Sequence, residues 1–355
     1  MKQNHLKNIL RTSQYSYNRN SFLRLDANER VIPFKKKVIL DLKKIISNIT
    51  LQSYPTTSQT LIDLISYKEK INSKYITVVP GSDSAIKCIF EIFNSGNKKI
   101  ISIYPTYGML DVYSKIYKFK ITKINEEKFE EKIFNKKILK NLSFIYLANP
   151  NQPSGNIIKF KLLEKIINKA KKNKKYIIID EAYIDFSNQQ SCSKLINKFS
   201  NLIILKSFSK SFGLAGLRIG YVISNKDIAK SILAVRPIFD ISHFSLKVAE
   251  YFVKNKNILR EHVADIKTSR KVVKKECLKR KLNYKDTHAN FFHIFLKKKQ
   301  ILKISRFLKK KKILVKSKYS KGFKVLDNSI RITYGSKIQM MYFFRTFDKI
   351  YKKII

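Results

Sequence analysis

The segment Lys206-Ser-Phe-Ser-Lys-Ser-Phe-Gly-Leu-Ala-Gly-Leu-Arg-Ile-Gly220 follows an apolar run and gathers three hydroxyls, three glycines, Lys210 and, eight residues later, Arg218. Ser207, Ser209 and Arg218 supply the donors that a phosphate dianion requires, and Lys210 stands among small and apolar neighbours, the setting of a nucleophilic amine. Such an amine is what an aldehyde cofactor needs. A second segment, Ile177-Ile-Ile-Asp-Glu-Ala-Tyr-Ile184, brings Asp180 to the end of an apolar strand with Tyr183 three residues on. A carboxylate in that place calls for a cation. The protonated ring nitrogen of pyridoxal phosphate is one; a metal, or a Walker-B-like role, is the other reading of a strand-end Asp-Glu. A third segment, Asn149-Pro-Asn-Gln-Pro-Ser-Gly155, is a turn-forming cluster after another apolar run.

These segments must be held by a common frame. Between about 76 and 223 short β-rich runs alternate with segments of helical period, which predicts parallel strands covered by helices. Strands are expected at 76–79, 99–102, 144–147, 176–179, 202–205 and 219–223, with helices near 84–93, 162–171 and 226–234. Loops at Gly81, Asn149, Asp180 and Ser207 would then meet at the carboxyl edge of one sheet, where open α/β sheets bind ligands. Beyond Phe239 the pattern changes to a long charged helical stretch (242–281), strands at 290–296, 313–316 and 330–334, and a helix at 301–311. The expected division is an N-terminal segment, 1–40, packing on the smaller unit or on a partner subunit; a large α/β domain, 41–240; and a small α+β domain, 241–355.

In combination the three segments resemble fold-type I aminotransferases, and the histidinol-phosphate aminotransferase family in particular. The resemblance implies a mostly parallel large-domain sheet, a smaller α+β domain and pyridoxal 5'-phosphate as cofactor. Lys210, Asp180 and Tyr183 would be the catalytic residues, Lys210 carrying the cofactor and then serving as base. Val79-Pro-Gly-Ser-Asp-Ser-Ala85 is similar to the family's turn at a helix N-terminus, so Ser82 and Asp83 would join Ser207, Ser209 and Arg218 around the cofactor phosphate. In Tyr104-Pro-Thr-Tyr107 the second Tyr would stack on the ring, although an aromatic there is also ordinary core. Ser53-Tyr-Pro55 implies that Tyr54 of the partner subunit reaches the cofactor, and hence a homodimer. Asn28 and Glu29 in Leu25-Asp-Ala-Asn-Glu29, Arg331 in Ile330-Arg-Ile-Thr-Tyr-Gly335, and Lys316 would face the substrate.

Three departures bear on substrate. Gln152 stands where many members have Asn, so either Asn151 or Gln152 would contact the cofactor's phenolic oxygen. Arg-Val-Ile-Pro-Phe follows Asn28-Glu29, and Lys316 stands where a second Arg is common. Lys binds phosphate as a point charge without Arg's bidentate fork. The expected reaction moves an amino group between a small phosphorylated or phosphonate amine and a 2-oxo acid, by resemblance 2-oxoglutarate. A decarboxylase of phosphorylated amino acids on the same fold is the alternative.

Composition sets the remaining bounds. The 355 residues suffice for two domains, and 44% apolar residues with nine Gly and seven Pro describe a folded globular protein. The net charge of +49 raises nucleic-acid binding as a second class of function. Only 12 of the 74 basic residues are Arg, however, and runs such as Lys35 to Lys37, Lys171-Lys172 and Lys309 to Lys312 sit where solvated helix ends explain them. No nucleic-acid partner is expected. Cys88, Cys192 and Cys277 form no C-x-x-C pair, so neither a disulfide framework nor a metal site is indicated. With no uncharged apolar run near the ~18 residues of a membrane span, a cytoplasmic protein is expected.

Overall fold

The computed structural model describes residues 18–49, 51–55, 57–317 and 328–354, together with 6, 9 and 326; most of the first seventeen residues of the expected N-terminal segment lie outside them. Seven strands form the main sheet: β2 (Ile76–Val79), β3 (Lys99–Tyr104), β4 (Lys120–Asn125), β5 (Phe144–Ala148), β6 (Tyr176–Asp180), β7 (Leu202–Ser207) and β8 (Gly220–Ile223). Their order is β2-β8-β7-β6-β5-β3-β4, and β8 alone runs against the other six. The central strands are buried on both faces, which is why they read as continuous Ile, Leu and Val runs. Edge strand β4, Lys-Ile-Thr-Lys-Ile-Asn, was not foreseen; such a charged edge blunts pairing with another chain.

Helices cover both faces. Lys36–Ser47, Gln59–Glu69, Phe160–Lys172 and His243–Lys254 share one core with Ile145, Leu147, Ile177 and Ile179; Ser82–Ile92, Met109–Ile116 and Lys226–Val235 share the other with Phe144, Tyr146 and Ile178. The charged stretch expected as one helix over 242–281 is two, broken at Asn255, whose ψ of 64° leaves the helical region. The first of these, His243–Lys254, packs with Leu61 and Ile65 in the same core as the main sheet.

The smaller unit has its own core around Phe291, Phe292, Ile330 and Phe343. It contains the antiparallel strands β12 (Ser329–Thr333), β10 (Phe291–Phe295) and β9 (Tyr284–Lys285), and the parallel pair β1 (Leu23–Leu25) and β11 (Ile313–Val315). Through β1 residues 23–25 pair with this unit, while the helix from Lys36 packs in the large unit's core, and the stretch between them carries Asn28 and Glu29 to the sheet edge.

Beneath that edge lies a buried charge group. Lys206 Nζ is 3.0 Å from Glu181 and 3.8 Å from Glu69, while the Tyr221 hydroxyl donates to Glu69 at 2.7 Å. Burial disfavours the Lys206 charge, but Glu181 and Glu69 outweigh it and hold the ammonium above its ordinary pKa. Removing one partner of a buried pair leaves an uncompensated charge, at a cost of about 3–5 kcal/mol. Lys206→Met is therefore expected to lower unfolding free energy by about that amount in urea denaturation; an unchanged midpoint would show that the group contributes nothing to stability.

Candidate active site

The carboxyl ends of β2, β3, β5, β6 and β7 open on a cavity of about 580 Å³, a size typical of small-molecule sites. Asp180 ends β6 and is 6% exposed. Its Oδ2 accepts the Tyr146 hydroxyl at 2.7 Å and its Oδ1 the Ala182 N–H at 3.1 Å. Burial pushes its pKa up, and these two hydrogen bonds with the more distant Lys210 draw it back only in part. A buried carboxylate so placed lacks a full countercharge and fits a ligand that carries a positive N–H.

Lys210 follows β7 by three residues. Its Nζ donates to the Ala27 carbonyl at 3.3 Å and stands 5.6 Å from the centre of the Tyr183 ring. The Tyr183 hydroxyl accepts from Asn28 Nδ2 at 3.0 Å. Asn28 is itself pinned by its N–H to Thr333 Oγ1 at 3.0 Å and by Asn290 Nδ2 to its carbonyl at 3.1 Å, both from the smaller unit.

At the other end of the cavity the residues form an anion cradle. Gly81 precedes the helix Ser82–Ile92 with φ of +83°, and Ser82 and Asp83 occupy that helix's first turn. Helix N-termini favour anions through their unsatisfied N–H groups. Arg218 donates to Ser209 Oγ at 3.5 Å and to the Ala215 carbonyl at 3.1 Å. A Cβ on Gly81 would lie 2.9 Å from Arg218 Nη2 and crowd this guanidinium, and the φ of +83° separately favours glycine there. Ser207 and Ser209 line the same corner, and Tyr107 lines the cavity opposite, its phenol pushed far up in pKa by burial and then by Asp83.

The smaller unit contributes Arg331 from β12, which is 5% exposed. Its Nη2 donates to the Asp26 carbonyl at 2.9 Å, while Nε is buried with no partner among the described residues. Glu29 lines the cavity but its carboxylate is held by Arg19 at 3.0 Å, and Arg19 also pairs with Asp26 at 2.6 Å.

Twelve of the expected residues thus surround one cavity: Lys210, Asp180, Tyr183, Ser82, Asp83, Tyr107, Ser207, Ser209, Arg218, Asn28, Glu29 and Arg331. Three do not. Asn151 turns away, giving Nδ2 to the Pro105 carbonyl at 2.8 Å and Ser154 Oγ at 3.1 Å, and it is Gln152 that lines the cavity. Lys316 touches Arg331 through paired backbone hydrogen bonds of 3.1 and 2.8 Å without lining the cavity, and burial followed by Arg331 lowers its pKa. Tyr54 is 75% exposed, stacked on Phe239 at 4.5 Å and away from this protomer's cavity. Arg30, which opens the segment expected to bear on substrate, lines the cavity too; sequence reasoning missed Arg24 and Tyr146. Arg24 lies in β1 and lines the cavity, which the sequence pattern alone does not show; Tyr146 is hidden inside an apolar run. Among the described residues no group of three His, Cys, Asp or Glu could hold a metal, and no helix is long and apolar enough to cross a membrane.

Residues 12–347 match the family of class I and II aminotransferases. The chain belongs to that family. It is 31% identical over 328 residues to a histidinol-phosphate aminotransferase of Clostridium novyi, covering 89% of this chain and 88% of that one. It is 34% identical over 269 residues to a dihydroxyacetone phosphate transaminase of Campylobacter jejuni, covering 72% and 71%. The fold matches the histidinol-phosphate aminotransferase of Sinorhizobium meliloti in complex with pyridoxal-5'-phosphate with a TM-score of 0.86 at 18% identity, covering 99% of this chain and 98% of that one. The cofactor of this aminotransferase is pyridoxal 5'-phosphate, and the residues fit it: a cradle for a dianion at Gly81 and Arg218, a buried carboxylate short of a cation, and an amine between them. Gly81→Ala is expected to displace Arg218 and to lower affinity for pyridoxal phosphate at least about tenfold, equivalent to roughly 1.4 kcal/mol, in a fluorescence titration. Unchanged affinity would remove Arg218 from the cradle.

Proposed function

We propose that this aminotransferase moves an amino group from a small phosphorylated amine to a 2-oxo acid, with 2-oxoglutarate as the natural acceptor. The observation that carries the reading is Arg331, a buried guanidinium at the cavity wall whose Nε has no partner among the described residues. A group so placed suits a substrate phosphate in one half-reaction and an acceptor carboxylate in the other. Named relatives that act on histidinol phosphate and on dihydroxyacetone phosphate support a small phosphorylated substrate.

The bound cofactor supplies an electron sink for the bond broken at the substrate carbon. Lys210 would hold the cofactor through Nζ and, once free, its amine would carry the proton from the carbon that bears the substrate nitrogen and give it back on the product side, acting as base and then as acid. Asp180 keeps the proton on the ring nitrogen. Tyr183, oriented by Asn28, donates toward the cofactor's phenolic oxygen, and Gln152 is the amide on that side. Ser207, Ser209, Arg218 and the N-terminus of helix Ser82–Ile92 hold the phosphate.

The site is completed by a second copy of the chain. Tyr54, Leu51 and Ile238 are 75%, 87% and 85% exposed, large apolar side chains that a homodimer would cover. Tyr54 of the partner subunit then reaches the cofactor phosphate. Tyr54→Phe is expected to weaken cofactor retention, and mixing it with Lys210→Ala should restore part of the activity through hybrid dimers with one intact site. Hybrids that form without recovered activity would contradict the cross-subunit role.

The substrate reading is tested by kinetics. A charged hydrogen bond from Arg331 is worth roughly 1.5–3 kcal/mol, or about 10- to 150-fold in kcat/KM. Histidinol phosphate or a smaller amino phosphate should therefore exceed its dephosphorylated form by at least about tenfold, with Arg331→Ala erasing most of the margin. Equal rates would refute a phosphorylated substrate while leaving the cofactor chemistry intact.

A further inference from the structure

The carboxylate that holds the ring-nitrogen proton is itself held. Tyr146 lies in the middle of β5 and is 1% exposed. In the register of β5 with β6, Tyr146 pairs with Ile178 and Ala148 with Asp180. Tyr146 and Asp180 therefore share one face as diagonal neighbours, close enough for a long side chain to bridge. The phenol spans that diagonal and donates to Asp180 Oδ2 at 2.7 Å. Among the described residues the other oxygen receives the Ala182 N–H at 3.1 Å. A carboxylate has about four acceptor positions, so the pair fixes its plane and leaves lone pairs facing the cavity.

The proton in this bond belongs to the phenol. Burial drives the Tyr146 hydroxyl well above its ordinary pKa, with Asp180, Tyr107 and Asp83 adding to the effect. Asp180 faces Lys210, which favours its charge, and Glu181, which opposes it. Of the groups favouring the carboxylate, the Ala182 N–H is backbone and Lys210 is distant and engaged in chemistry. Tyr146 is the side-chain donor dedicated to it.

We propose that Tyr146 is a positioning residue for the cofactor: its hydroxyl keeps Asp180 an ionised, aimed carboxylate, and so lets the site discriminate a ring that carries N–H from one that does not. The inference rests on Asp180 being the partner of the ring nitrogen. It makes the Tyr146 contribution specific to that nitrogen, whereas a packing role would affect any ring of the same shape.

The test compares wild type, Tyr146→Phe, Asp180→Asn, and protein carrying 3-fluorotyrosine at position 146, which keeps the shape and makes the hydroxyl a stronger donor. Each apoprotein is titrated with pyridoxal phosphate and with the analogue in which carbon replaces the ring nitrogen, and thermal unfolding is recorded alongside. Tyr146→Phe should reduce the preference for pyridoxal phosphate over the analogue about tenfold, the loss of one hydrogen bond to a charged group, while affinity for the analogue stays within about twofold. Its kcat should fall with KM for the amine unchanged, and the fluorinated residue should raise the preference. Equal losses for both cofactors, or a preference unmoved in both position-146 variants, would overturn the proposal. If Asp180→Asn abolishes the preference while both position-146 variants retain it, only the role of Tyr146 fails. If Asp180→Asn leaves the preference intact, the assignment of Asp180 to the ring nitrogen fails and the proposal with it.

Discussion

Two consecutive carboxylates at the end of β6, Asp180 and Glu181, are both buried, and the site depends on the difference between them. Burying an ionised carboxylate is costly unless it is paired. Glu181 meets that demand within the chain, through Lys206 at 3.0 Å and the Cys192 N–H at 2.7 Å. Asp180 faces the opposite side of the sheet and, among the described residues, accepts two neutral hydrogen bonds. One carboxylate thus ties β6 to β7, and its neighbour remains available to a cation from outside.

The same pair of strands sets the position of the amine. Lys206 precedes Lys210 by four residues, and the ion pair it makes fixes the end of β7 from which the Ser207–Lys210 turn departs. A second tie follows, as Ser211 Oγ donates to Asp185 at 2.5 Å. The turns bearing Asp180 and Lys210 are therefore clamped together at both ends. The smaller unit closes the arrangement from above through Asn28, whose contacts to Tyr183, Thr333 and Asn290 join both units around the reacting atoms.

Much of this was legible in sequence because the demands are local. The apolar runs of β5, β6 and β7 are two-face-buried strands, and parallel strands bring their carboxyl ends to one edge. Residues that follow a strand end within a few positions, such as Ser207, Lys210 and Tyr183, could be placed from that alone. What escaped depends on non-local register. Tyr146 reads as one more apolar residue of β5 until its diagonal with Asp180 is known, and Arg24 reads as a surface residue until β1 is paired with β11. Edge strand β4 was hidden by its lysines, and the break at Asn255 by continuous helical periodicity on both sides of it. Of the two candidate amides, Asn151 gives its Nδ2 to the Pro105 carbonyl, a non-local contact that the sequence does not show.

The central claim, that Lys210 is the residue to which the cofactor is joined, is tested most directly by borohydride reduction of the cofactor-loaded protein followed by peptide mapping. The expected result is a single pyridoxyl group on the peptide containing Lys210, with no label in Lys210→Ala. A pyridoxyl group on Lys206, or on any other of the lysines in wild type, would contradict it.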